Sequence, residues 1–148
     1  MSRAHASVEV RASPEDVWKV VANPRNLPRW DRHITNVEGV PPNGLAKGAS
    51  YSTRVRFMGV GARVDATVLE MEPPHYAKIR LNGLMDATVE TTVSPLGNGK
   101  TRLEHDVEYR LRGGPLGSMA AQALRMTGGP QLVLRRGTMA QKRQAEEG

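Results

Sequence analysis

The sequence predicts one α+β domain, an antiparallel sheet with a short helical unit near its start and a long helix at its end. Three observations predict it. Residues 34–112 alternate apolar and polar side chains between turn signals, as half-buried antiparallel strands do. Ahead of them, the run ASPEDVWKVVANPRNLPRWD at residues 12–31 carries two helix-start signals in succession. Beyond them, Met119, Met126, Val133 and Ala140 recur every seven residues beside Leu116, Ala123 and Leu134, which marks one face of a helix. At 148 residues the chain has the length of a single domain spanning 1–148, enough for a full core.

The elements follow in order. A first strand, HASVEVR, leads into Ser13, which can cap a helix, and Pro14, whose missing N–H costs nothing at the first helical position. Asp16 completes an S-x-x-D box, and Val17, Val20 and Val21 form an apolar stripe onto which Ala12 can staple. Asn23 and Pro24 end this helix after about two turns and repeat the cap-plus-proline signal. Pro28 then limits a second piece to about a turn, which delivers Trp30 at its end.

In the strand region, turn chemistry falls at Pro41–Gly44, Gly59–Gly61, Pro73-Pro74, Asn82-Gly83 and Gly97–Gly99. Tyr51, Thr53, Val55 and Phe57 share one face of their strand, and Val60, Ala62, Val64, Ala66 and Val68 share one face of the next. A two-residue turn at Asn82-Gly83 would put Ile79 on the same face as Asp86, which mixes core with solvent. A three-residue loop through Leu84 instead pairs Leu81 with Met85, Ile79 with Ala87 and Ala77 with Val89, leaving Arg80 opposite Asp86 outside. In the last strand Thr101, Leu103, His105, Val107, Tyr109 and Leu111 point inward, because the intervening residues are charged. Pro115 opens the C-terminal helix, Gly128-Gly129-Pro130 kinks or breaks it, and the tail should fray from about residue 144.

Composition excludes several function classes. With no cysteine there is no disulfide, no thiol nucleophile and no Cys-bound metal. His5, His33, His75 and His105 lack metal-ligand spacing, so no metal is expected, and no cofactor either. There is no G-x-S-x-G elbow, and the glycines lie in hairpins rather than between a strand and a helix. No stretch approaches a membrane span, and the polar start MSRAHASVEV has no signal-peptide core, so a cytoplasmic protein is expected. One Phe, two Trp and three Tyr leave few large rings to fill the space between sheet and helix, so a residual cavity is plausible on packing grounds.

The run ASPEDVWKVVANPRNLPRWD, set between the strands HASVEVR and HITNVEGV, resembles the opening of the START-like (SRPBCC) helix-grip superfamily, in its polyketide cyclase/dehydrase branch. The resemblance extends in order and spacing over nearly the whole chain. It implies a START/Bet v 1-like fold: a curved antiparallel sheet wrapped around the long C-terminal helix, with a ligand cavity between them. It also implies a hydrophobic, polyketide-like or polycyclic ligand and a role in bacterial natural-product biosynthesis. As an enzyme the protein would resemble cofactor-independent cyclases/aromatases; as a binder, ligand carriers or self-resistance proteins that sequester a product. The expected lining is Trp30, Phe57, Met85, Val89, Val107, Met119, Ala123 and Met126.

Inward polar groups supply the candidate chemistry. His105 is the inward group that titrates near neutrality, and it could act as general base or acid with Tyr109 or Tyr51 polarising a carbonyl. Equally, His105 could be a satisfied core histidine, Trp30 could close one end of the core, and the tyrosines could be rim residues. The formal charge is +6. No acidic residue lies between Glu108 and Glu146, an interval holding Arg110, Arg112, Arg125, Arg135, Arg136, Lys142 and Arg143. That basic face suits an acidic acyl carrier protein, or is simply solvated. A nucleic-acid-binding module is the remote alternative for this charge, but no RNP, KH or helix-turn-helix pattern occurs and no nucleic-acid partner is expected; the protein is expected as a monomer or homodimer.

Overall fold

A computed structural model describes residues 2–57, 59–83, 85–111, 113–126 and 128–147; the side chains of residues 57, 60, 116, 119, 120, 123 and 124 lie outside the description. The order of elements is β1 (Ser2–Val10), α1 (Pro14–Val21), a 3₁₀ turn (Pro24–Asn26), α2 (Leu27–Trp30), β2 (Ile34–Glu38), β3 (Ser50–Phe57), β4 (Val60–Glu72), β5 (Tyr76–Asn82), β6 (Met85–Gly97), β7 (Lys100–Leu111), α3 (Gly114–Met126) and α4 (Pro130–Glu147). The strands form one curved antiparallel sheet in the order β1-β7-β6-β5-β4-β3-β2. Strand β1 pairs with the last strand, so the two halves of the chain are closed onto each other from the outset.

Local chemistry sets the first helices. The Ser13 hydroxyl accepts from the Asp16 N–H at 3.2 Å with Pro14 in the first turn, and the Asn23 side chain accepts from the Arg25 N–H at 3.1 Å ahead of Pro24. Ala12 packs on the core beside α1, as a staple would. At the β6–β7 hairpin, Asn98 (φ 56°) and Gly99 (φ 75°) are both left-handed, the backbone a two-residue type I′ turn requires.

The packed core occupies one end of the molecule. Val10, Val17, Trp18, Ala77, Val93, Leu103 and Ala145 form one buried cluster, with Val10, Val17 and Leu103 wholly inaccessible to solvent. Each such aliphatic side chain contributes roughly 1.5–3 kcal/mol relative to an exposed one. Strand parity places the inward residues as expected from alternation: Leu103 and His105 are buried while Arg102 and Asp106 are exposed.

Three expectations differ from the structure. The β5–β6 pairing is Leu81 with Ala87, Ile79 with Val89 and Ala77 with Thr91, two residues from the expected register, and Arg80 faces Thr88. The faces survive because the shift is even. The cause is tertiary: Asn82 still pairs with Asp65 of β4, and Gly83 lies so close to that strand that a Cβ would be 2.6 Å from the Arg63 carbonyl oxygen. The turn is thereby pressed against β4 instead of closing early on β6. Asp86 faces Arg110, their side chains 3.7 Å apart.

The C-terminal helix breaks at Gly128-Gly129, as expected, but the face marked by the seven-residue series is not kept across the break. Gly128 and Gly129 both have φ +96°, and α4 restarts at Pro130, a helix-opening position. The seven-residue series therefore does not hold one face across the break: Thr138, Gln141 and Ala145 are the buried residues of α4, whereas Met126 at the end of α3 is 59% exposed. Finally, the end of the chain, expected to fray, is helical to Glu147. Ala145 joins the core, the Glu146 carboxylate accepts from the Arg11 N–H at 2.8 Å, and the Gln144 side chain accepts from the Trp30 indole N–H at 2.9 Å.

Helix α4 runs along β1 and covers its outer edge. The Gln131 side-chain amide bonds both the N–H (3.0 Å) and the carbonyl of His5, and Lys142 Nζ donates to the Glu9 carbonyl at 2.7 Å. A sheet edge that would otherwise be open is thus occupied by side chains of the same chain.

Candidate functional site

The inward face of the sheet is packed at one end and only partly covered at the other. Val10, Thr101, Leu103 and Val93 are buried. Further along the same strands Val107, Tyr109, Leu111, Val89 and Met85 are half-buried, as are Leu81, Val64 and Val55 across the sheet. Met85, Val89 and Val107 thus lie on the half-covered face; Phe57 shares its strand face, but its side chain, like those of Met119 and Ala123, lies outside the described residues.

A single cross-strand row links the two candidate tyrosines. Tyr109 pairs with Ala87, Ala87 with Leu81, Leu81 with Ala66, and Ala66 with Tyr51. Ala66 and Ala87 of this row are buried, whereas Leu81 is half-buried. Tyr51 is buried, and desolvation pushes its hydroxyl up to about 12, so it stays protonated and can act as a donor. Tyr109 is half-buried. The two stand four strands apart, about 19 Å along the sheet at ~4.8 Å per strand.

His105 lies on the boundary between the packed and the open end. Thr91 Oγ1 is 2.8 Å from its Nδ1, and Gln141 Oε1 is 2.6 Å from its Nε2. With the Gln141 oxygen accepting, Nε2 carries the proton and the Thr91 hydroxyl donates to Nδ1; the ring is neutral and both nitrogens are engaged. Burial lowers the His105 pKa, opposed by the Gln141 bond and the nearby Asp106 charge. Tyr109 is four residues along the same strand, about 14 Å away at ~3.4 Å per residue. His105, Tyr109 and Tyr51 are therefore three separate positions on one face, not a cluster.

A cleft of about 930 Å³ opens where the α2–β2 corner meets the α3–α4 break. One wall is Arg29, Trp30, Asp31, Arg32 and His33; the other is Met126, Gly128, Leu132, Val133 and Arg136. Trp30 and Met126 thus meet across this opening. Asp31 accepts from the His33 backbone N–H at 2.9 Å, and its carboxylate lies 2.9 Å from His33 Nδ1. The size falls within the range of small-molecule sites, which are about 300–1,000 Å³. Among the described residues no group of His, Asp or Glu is arranged to hold a metal ion, and no helix is long and apolar enough to cross a membrane.

Thr91, Gln141, Arg29 and Arg32 were not singled out by the sequence reading, whereas Arg136 was, within the basic interval of the C-terminal helix. Arg29 and Arg32 lie on either side of Trp30, which was singled out; Gln141 is three residues beyond Thr138 and four before Ala145, a helical spacing that could have marked the buried face.

A seven-stranded antiparallel sheet that closes its first strand onto its last, with two short helices after β1 and a helix at the C-terminus, defines the START/Bet v 1-like helix-grip class. Within it, the chain belongs to the polyketide cyclase / dehydrase and lipid transport family, whose model matches residues 1–136. An uncharacterized Mycobacterium tuberculosis protein is 30% identical over 128 residues, covering 84% of this chain and 90% of its own. A conserved protein from Geobacillus kaustophilus superposes with a TM-score of 0.74 at 20% identity, covering 99% of this chain and 96% of that one. The Zhui aromatase/cyclase from Streptomyces sp. R1128 gives 0.73 at 14% identity, covering 99% and 94%. A START superfamily protein from Mycobacterium smegmatis gives 0.71 at 19% identity, covering 98% and 97%. At these identities the solved structures speak for the fold alone.

Proposed function

We propose that the protein binds a hydrophobic, polyketide-like or polycyclic small molecule between the half-covered face of the sheet and the broken C-terminal helix, entering through the cleft at Trp30 and Met126. The observation that carries this reading is the gradient along the sheet: the same strands that are sealed at Leu103 and Val93 carry only half-buried apolar side chains at Val107, Val89 and Met85, about a buried Ala87. Apolar surface left open to water inside a fold is unfavourable unless something covers it, and a hydrophobic ligand would do so. The polyketide-like class rests on the family.

Between the two readings the family embraces, cyclase and carrier, the His105 geometry favours the carrier or sequestering protein. A general base needs a lone pair directed at substrate, and both His105 nitrogens are held inside the protein by Thr91 and Gln141. An acidic acyl carrier protein suits the exposed arginines Arg125, Arg135 and Arg143 as a delivery partner. Native mass spectrometry of the protein after incubation with small-molecule extracts tests the reading. A one-to-one complex with an unaltered hydrophobic compound is expected; conversion of that compound to a cyclised or dehydrated product would restore the cyclase reading.

A further inference from the structure

The charge around the cleft points to the chemistry of the ligand's outer end. Its lining holds three arginines, Arg29, Arg32 and Arg136, against a single carboxylate, Asp31. That carboxylate is turned to its own loop, where it meets the His33 ring and backbone N–H. Arg29 and Arg32 are exposed, and neither has an acidic partner among the described residues. They come from the α2 end and the turn after it, on either side of the Trp30–Asp31 step, and Arg136 adds its charge from the opposite wall. The apolar side chains Leu132 and Val133 line the same cleft as Arg136 and Trp30. An opening that combines half-buried apolar side chains with exposed arginines concentrates anions and selects molecules with an apolar body and an anionic end. Arginine adds selectivity because its planar fork can bind a carboxylate or phosphate through two parallel hydrogen bonds.

We propose that this cleft binds an amphipathic anion, its apolar portion directed toward the half-covered sheet and its carboxylate or phosphate held by Arg29 and Arg32. The inference rests on the apolar-cavity reading above and goes beyond it by fixing the charge of the ligand. Two sources present that chemistry: a free chain bearing its own carboxylate, and an acyl chain thioesterified to phosphopantetheine, whose phosphate would lie at the rim.

Trp30 in the cleft wall provides the readout. Its emission, separated from that of Trp18 by comparison with a Trp30→Phe control, is titrated with decanoate, decyl phosphate, decanoyl-phosphopantetheine and the uncharged methyl decanoate, all below their aggregation limits, at low and moderate salt. The anions are expected to bind about tenfold more tightly than the ester, as charge-assisted hydrogen bonds imply. That preference should shrink with added salt and disappear when Arg29→Gln and Arg32→Gln are combined. Both positions are exposed, so the folded state can be verified by an unchanged circular dichroism spectrum. An ester that binds as tightly as the anions would overturn the inference and leave the apolar cavity standing. Failure of all four to bind would overturn the cavity reading and the inference with it. The stronger of decanoate and decanoyl-phosphopantetheine identifies the source of the anion.

Discussion

His105 shows how a residue chosen for its chemistry acquires a structural task. Buried between β7, β6 and α4, it joins Thr91 to Gln141 and so ties the sheet to the C-terminal helix. Replacing it with alanine leaves a cavity and two unpaired polar groups, and is expected to cost about 2–4 kcal/mol in urea denaturation. Its depressed pKa gives a sign to the pH dependence. Below the ordinary value of 6.5 the unfolded chain takes up a proton that folded His105 resists, so the unfolded state binds more protons and stability falls as pH is lowered through that range. Substituting His105 by Gln should flatten the stability profile between about pH 6.5 and 5. A separate loss belongs to the carboxylates. Glu146, held low by Lys142 and the Arg11 N–H, and Asp65, held low by Ser52 and Arg63, lose their contributions only below their ordinary values of 4.5 and 3.8. That His105 faces inward was legible from alternation in β7. Its partners were not, because Gln141 lies 36 residues away and comes into reach only when α4 docks.

Among the elements, those fixed by neighbours in sequence were legible and those fixed by distant contacts were not. Ser13, Pro14, Asn23 and Pro24 set α1 and the turn after it locally, and the structure has both where the capping residues put them. The β5–β6 register was misread by two residues because Gly83 is drawn onto β4, a contact no local pattern encodes. Trp18 was overlooked although its three-residue spacing from Val21 fits the apolar face, and it is in the core. The glycine break was legible, and its stereochemistry now yields an ordered prediction. Gly128→Ala and Gly129→Ala each place a side chain at φ +96°, but only at 128 would the Cβ also meet Leu132, 2.3 Å from Cδ2. Each should lower stability by about 1–2 kcal/mol, with Gly128→Ala the more costly; equal losses in thermal unfolding would mean that Leu132 yields freely. The strap on β1 is also testable. Gln131→Leu removes the side chain that bonds both His5 backbone groups, and hydrogen exchange of the His5 amide should become about tenfold faster or more, with little effect on global stability.

At the scale of the whole molecule, one chain divides its sheet between a sealed end and an open end, and the proposed function depends on that division. The scarcity of aromatic residues leaves small side chains, Ala66 and Ala87, in the row between the two tyrosines, and both are buried. The cleft itself was not legible, since it is made by bringing the α2–β2 corner against a helix break about a hundred residues later. The most direct measurement of the central claim is a methyl-resolved NMR titration with decanoate. Methyl signals of Val89, Val107, Leu111, Leu81 and Val64 are expected to shift together at one equivalent, while those of Val10, Val17, Val93 and Leu103 stay in place. Shifts confined to the sealed end, or none at all on the half-covered face, would contradict the account.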